Sequence, residues 1–175
     1  MIHAACFLGN PGTQYAKSRH NLAWILIKYL HFDRPVQWTG KFKGLYGKSS
    51  IRGKEIFLLK PETYMNKSGE SVQAFLSYFK IPPEELLVIH DDIELSFNEI
   101  QFKFGGGLAG HNGLKSLASS LGSKDFYRLR LGISRPERGS VSSYVLSRFS
   151  PEESAELEDF CRRAAGVFSN IFEKR

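Results

Sequence analysis

Cysteine and methionine are scarce in this chain, two of each among 175 residues. Cys6 falls in an apolar strand-like run and Cys161 in a helical one, so they form neither a metal-binding pair nor a disulfide framework. Both read as small core residues. Long hydrophobic runs are missing as well: no stretch approaches the roughly 20 apolar residues that span a bilayer. The opening "MIHAACFLGNPG" has no basic region ahead of a cleavable apolar segment. These absences argue against a membrane-spanning chain and a secreted disulfide scaffold, and they predict a cytoplasmic protein without membrane partners. Internal repeats and low-complexity tracts are also lacking.

What is present fits one domain over residues 1–175, with 42% hydrophobic residues to build a single core. Lys plus Arg number 24 against 18 Asp plus Glu, a formal charge of +6. That excess favours a polyanionic partner through counterion release. β-like runs alternate with helical patterns, which predicts an α/β layered fold. "IHAACFL" reads as a strand ending at the "GNPG" turn, followed by Ser18 as an N-cap and by Leu22, Leu26, Tyr29 and Leu30 at helical spacing. "LYGKSSIRGKEIFLLK" reads as a hairpin about Arg52 and Gly53. "LLVIH", "EIQFKF" and "RLRLGIS" are three further strands, and "SGESVQAFLSYF", with Ser68 as N-cap, and "HNGLKSLASSLG", closed by Gly122, are helices. From Pro151 onward Leu157, Phe160, Cys161, Ala164, Phe168, Ile171 and Phe172 form a helical stripe, with acids early and "EKR" at the end as the macrodipole prefers. Residues 31–43 are left between helix and loop.

The run "GGGLAGHNG" begins with a match to G-x-G-x-x-G, and Asp125 lies 20 positions after Gly105. A dinucleotide site is nevertheless disfavoured. The preceding strand carries Gln101 and Lys103 where a first Rossmann strand is buried on both faces, Asp125 precedes a strand instead of closing one, and His111 and Asn112 stand where a pyrophosphate needs bare backbone. No Gly-Lys-Ser/Thr follows these glycines, which excludes a phosphate-binding loop of that type. Sites in open α/β sheets form beyond the C-terminal ends of strands, and there the sequence places Asn10, Tyr15 and His20; Tyr64, Met65 and Asn66; Asp91 and Asp92; and, after "EIQFKF", His111 and Asn112. A histidine beside a carboxylate suits general-base chemistry, since free imidazole titrates near about pH 6.5. Asparagine N–H groups can hold a carbonyl or a developing oxyanion without charge. Water is the expected nucleophile, because no serine or cysteine sits in a nucleophile elbow. The histidines are scattered, with no H-E-x-x-H spacing, so no metal site is expected.

Taken together, "LGNPGTQYAKSRHN", "KPETYMNKSGESV", "VIHDDIEL", "GGGLAGHNGLKS" and "FYRLRLGISRP" resemble the bacterial peptidyl-tRNA hydrolase family in order and spacing. The resemblance implies a single α/β domain with a twisted mixed sheet flanked by helices on both faces, and a monomeric enzyme without metal or cofactor that cleaves the ester between a peptide, or an N-blocked amino acid, and the 3′ end of tRNA. By the same resemblance His20 matches the catalytic base and Asp91 its supporting carboxylate. Asn10 matches the residue that tells blocked from free aminoacyl groups, while Tyr15, Tyr64, Asn66 and Asn112 match substrate-contacting positions, with Met65 and His111 lining the cleft. Lys103 and Arg130 fall where the family clamps the tRNA 5′-phosphate. Phe7, Ala23, Ser96, Asn98 and Ser134 depart from residues usual in the family, four of them replacing or standing at glycines. The rival implied by the same fold is a non-catalytic RNA-binding homologue.

Overall fold

The computed structural model describes residues 1–173. β1 (Ala4–Phe7) is buried at every position, and the chain leaves it through two 3₁₀ turns, Thr13–Tyr15 and Arg19–Asn21, before α1 (Leu22–Ile27). This helix starts later and ends earlier than its apolar spacing predicts. Ser18 stands ahead of the second 3₁₀ turn and its hydroxyl caps nothing, because the backbone here is engaged elsewhere: Ser18 bridges to Arg148 and the Arg19 N–H donates to the Ser147 carbonyl. Within residues 31–43 lies a short edge strand, β2 (Thr39–Lys41), in otherwise irregular chain. β3 (Gly44–Ile51) and β4 (Lys54–Pro61) form the expected hairpin, with Arg52 and Gly53 both at positive φ, +50° and +80°, as a two-residue primed turn requires.

A 3₁₀ turn, Met65–Lys67, leads into α2 (Ser68–Phe79). Ser68 is the first helical residue and not the cap; its hydroxyl donates back to the Met65 carbonyl. β5 (Leu86–Asp92) is buried along its whole length, as befits a parallel strand covered on both faces. β6 (Ile100–Phe104), α3 (Asn112–Leu121), β7 (Tyr127–Gly132), α4 (Val141–Leu146) and α5 (Pro151–Ile171) complete the chain. Gly122 ends α3 in the left-handed region, at φ +66°. α5 opens with Pro151 in its first turn and a reciprocal Ser150–Glu153 capping box. Of its expected basic end, Lys174 and Arg175 lie outside the described residues.

The seven strands lie in the order β2-β3-β4-β1-β5-β7-β6. The four central strands are parallel, while β2, β3 and β6 run antiparallel to their neighbours. α1, α4 and α5 cover one face through Leu22, Leu26, Val145, Phe160 and Phe168, and α2 and α3 cover the other through Val72, Phe75, Leu114 and Leu117. Each fully buried phenylalanine stabilises this core by about 1.5–3 kcal/mol. No helix among the described residues is long and apolar enough to cross a membrane.

One expectation about the sheet needs correcting. β6 does not end at the rim where β1, β4 and β5 end. Its Phe104 pairs with Tyr127, the first residue of β7, so its C-terminus lies at the opposite end of the sheet. The glycine run then carries the chain back. Gly105, Gly106 and Gly110 take positive φ, and the buried Arg128 guanidinium donates to the carbonyls of Gly106 and Gly107, fastening the returning loop along β7. This return is what the glycines make possible.

Candidate active site

Side chains alternate along a strand, so the adjacent acids Asp91 and Asp92 at the end of β5 serve different partners. Asp91 meets two imidazoles: His20 Nδ1 lies 2.8 Å from its Oδ2 and His111 Nε2 lies 3.0 Å from its Oδ1. Asp92 instead accepts from Arg130 Nε at 2.7 Å. His20 sits in the 3₁₀ turn ahead of α1 and is buried, as is Asp91.

The protons of this group follow from the partners. His111 is the N-cap of α3, and its Nδ1 accepts from the backbone N–H groups of Gly113 and Leu114 at 3.1 and 3.3 Å. With its lone pair thus engaged, the ring carries its proton on Nε2 and donates to Asp91. An ionised Asp91 accepts this bond and a second from His20 Nδ1–H, which leaves the lone pair of His20 on Nε2, beside the cleft. Burial alone would raise the Asp91 pKa, but the positive charge that His20 and His111 carry when protonated, and the hydrogen bonds they donate, outweigh it and hold this carboxyl well below the usual range. Neighbouring His90 is also buried and donates through Nδ1 to the Asp91 carbonyl. Its burial and the adjacent His111 lower its pKa to about 4.

His20, Asp91 and His111 present ligand atoms within 4.8 Å of one another, close enough to surround a cation. The donor set suits one poorly. Binding a metal through His111 Nε2 would transfer that ring's proton to Nδ1, where it would face the Gly113 and Leu114 N–H groups.

Two clefts meet at His20. The larger, about 380 Å³, is bordered by Asp91, Leu108, His111, Lys115, Arg135 and Val141. The smaller, about 230 Å³, is bordered by Asn10, Tyr15, Tyr64, Met65 and Asn66; Asn112, Ser142 and Val145 line both. Asn10 is fixed on two sides. Asn21 clamps its backbone, accepting from Asn10 N–H at 2.8 Å and donating to the Asn10 carbonyl at 2.9 Å, and Met65 N–H donates to Asn10 Oδ1 at 2.7 Å. The Asn10 amide therefore turns its N–H side to the cleft. Lys103 and Arg130 share a separate recess of about 260 Å³ with Arg128, Asp92 and Glu94, and this recess joins the larger cleft at Asp92 and Ala109.

All eleven residues singled out from the sequence thus lie in these connected clefts. Several contributors were not anticipated, among them Leu108, Lys115, Arg135 and Val141 of the larger cleft. Arg128 fastens the glycine loop, and its alternation with Arg130 in "RLRLG" is a period-two signal that marks it as a companion on the same face. Ser142, Val145 and Leu146 belong to α4, whose stripe of Val141, Tyr144 and Val145 spans barely more than one turn in a serine-rich stretch. Among the five unusual residues, Phe7 and Ala23 are core. Asn98 and Ser134 adopt φ of +79° and +63°. Ser134 Oγ accepts from Phe97 N–H, and the Asn98 side chain bonds Glu156 and Arg163 of α5. None of the five borders a cleft.

Known proteins resemble this chain over most of its length. The family model described as peptidyl-tRNA hydrolase matches residues 5–175. A peptidyl-tRNA hydrolase of Geotalea daltonii is 47% identical over 86% of this chain and 79% of its own length, and one of Treponema pallidum is 45% identical over 97% and 87%. The crystal structure of peptidyl-tRNA hydrolase from Acinetobacter baumannii superposes with a TM-score of 0.87 at 34% identity, over 94% of this chain and 85% of that one. With its fold and these relatives in agreement, the chain belongs to the peptidyl-tRNA hydrolase family of enzymes.

Proposed function

We propose that this chain hydrolyses the ester joining a peptide, or an N-blocked amino acid, to the 3′ end of tRNA, returning free tRNA to translation, and that it works as a cytoplasmic monomer without a metal. The observation that carries the mechanism is the pair of contacts from His20 Nδ1 and His111 Nε2 to Asp91, with His111 Nδ1 engaged by backbone N–H groups; the tautomers that follow from it leave the His20 Nε2 lone pair at the cleft. Water attacks the ester carbonyl while His20 Nε2 takes its proton, and ionised Asp91 balances the imidazolium. Amide N–H groups of Asn66 and Asn112 hold the oxyanion. As the tetrahedral intermediate collapses, the C–O bond to the ribose breaks and the imidazolium returns the proton to the departing 3′ oxygen.

The two clefts divide the substrate. The smaller takes the peptide, with Tyr15, Tyr64 and Met65 against it, and the larger leads the 3′ end of tRNA towards Lys103 and Arg130, a basic pair for the 5′-phosphate. Arg130 is held ready by Asp92 and Gln101. Selection against unblocked aminoacyl-tRNA follows from the orientation of Asn10. Its Oδ1 is turned to Met65 and its N–H side to the cleft, so it offers a donor to the carbonyl of a blocking group, where a free ammonium would meet a donor instead of an acceptor.

The test uses EDTA-treated protein with N-acetyl-aminoacyl-tRNA and with unblocked aminoacyl-tRNA. Release of the amino acid from the blocked substrate alone is the expected result. No release from either would favour the RNA-binding alternative, and release only after a divalent ion is added would replace the metal-free mechanism.

A further inference from the structure

Arg19 and His20 are neighbours on one 3₁₀ turn, yet their side chains go to different parts of the molecule. His20 reaches the sheet at Asp91. Arg19 reaches α4 and α5. Its guanidinium donates to Ser147 Oγ, to the Arg148 carbonyl at 2.7 Å and to Glu153 Oε1 at 2.7 Å, and its Cζ lies 4.1 Å above the Tyr144 ring. The backbone repeats the connection, with Arg19 N–H on the Ser147 carbonyl and Ser18 bridged to Arg148. The Arg19 side chain is only 9% exposed. Glu153 is itself fixed, because the same Oε1 accepts from Ser150 N–H in the α5 capping box.

α4 needs such a fastening. It has six residues, of which only Val145 is buried, and it stands between solvent and substrate: Ser142 and Val145 border both clefts, Val141 the larger and Leu146 the smaller. Its attachments gather at its C-terminal end, through Tyr144, Ser147 and Arg148.

We infer that Arg19 is a positioning residue that fixes α4 as the outer wall of both clefts and thereby sets affinity for the substrate. Proton transfer by His20, which is held independently by Asp91, does not depend on the Arg19 guanidinium. The inference rests on the ester-hydrolase reading given above.

The experiment measures kcat and KM on N-acetyl-aminoacyl-tRNA, with backbone hydrogen exchange at Tyr144 and Ser147, for the wild type and for Arg19→Met, Arg19→Lys, Glu153→Gln and the Arg19→Met/Glu153→Gln pair. Arg19→Met raises KM about tenfold with kcat within about twofold, and Glu153→Gln raises KM about threefold. Arg19→Lys recovers part of the loss, the double variant is no worse than Arg19→Met alone, and exchange quickens at Tyr144 and Ser147 but not in β5. A fall in kcat at unchanged KM would overturn the inference, as would unchanged KM and unchanged exchange. Should Arg19→Met fail to fold, Glu153→Gln decides by the same two readouts. If the wild type does not release the blocked amino acid, the hydrolase reading falls, and exchange at Tyr144 and Ser147 still supports or overturns the fastening of α4.

Discussion

Asp91 serves two imidazoles at once, so replacing it disturbs both. In Asp91→Asn one amide face donates where both partners already donate, and one ring must turn its proton away. If that ring is His20, Nε2 becomes the protonated nitrogen and the base is lost. Asp91→Asn and His20→Ala should each lower kcat by about 10²- to 10⁴-fold with a smaller change in KM; single-turnover rates on blocked aminoacyl-tRNA check this, and near-normal turnover in either variant would refute the assignment. His90 makes a second residue-scale prediction, about stability. Burial and the neighbouring His111 lower its pKa to about 4, against the acids Asp91 and Asp92 that pull the other way. Its unfolded value, near about 6.5, is higher, so the unfolded chain binds the extra proton first. The contribution is complete above about pH 6.5 and is lost as pH falls towards about 4. Urea unfolding should show His90 removing about 2 kcal/mol between about pH 7 and about pH 4.5, and His90→Gln should lose correspondingly less; equal losses in both proteins would refute it.

The elements that hold these residues depend on close approaches. Gly69, in the first turn of α2, lies so near α3 that a Cβ there would stand 2.2 Å from the Ser116 carbonyl oxygen. Gly69→Ala therefore separates α2 from α3 and should cost about 1–3 kcal/mol in thermal or urea unfolding. It should also raise KM, because Asn66 precedes one helix and Asn112 begins the other. An unchanged unfolding midpoint would show that the helices yield without strain. The sequence makes some of these elements plain and conceals others, for physical reasons. β5 and α5 are legible because unbroken apolar residues and a long 3.6-residue stripe leave no alternative, and the hairpin is legible from Arg52-Gly53. α4 is not, because its six residues bury one side chain and are held by Arg19, more than a hundred positions away. The direction of β6 is hidden for a similar reason: strand pattern carries period, not orientation, so the glycine run read as a simple rim loop. Residue types pointed to the candidate clefts, since Asn10, His20, Asp91 and His111 have no role in an apolar core and all four border them. The tautomers that give them distinct roles depend on backbone N–H groups and could be read only from coordinates.

For the whole molecule, the proposed function together with the excess of cations and the recess holding Lys103, Arg128 and Arg130 predicts that substrate capture is electrostatic. Asp92 and Glu94 stand in the same recess, so its net charge is small and each cation matters. The logarithm of kcat/KM should fall linearly with the logarithm of salt concentration, and Lys103→Ala should make that slope shallower by about 1, as expected when one phosphate contact is lost. An unchanged slope would remove Lys103 from the tRNA contact. The antiparallel course of β6 has a consequence for chain length. From Phe104 the polypeptide must climb about 13 Å along the sheet and cross about 10 Å from β6 to β5, a direct span of about 16 Å. Residues 105–111 reach at most about 23 Å when fully extended. The tether therefore has slack of a few residues, which the His111 and Asp91 side chains extend by their own reach: a lengthened loop can bulge outward and still deliver His111, whereas a loop shortened beyond that slack would leave Asp91 with one imidazole.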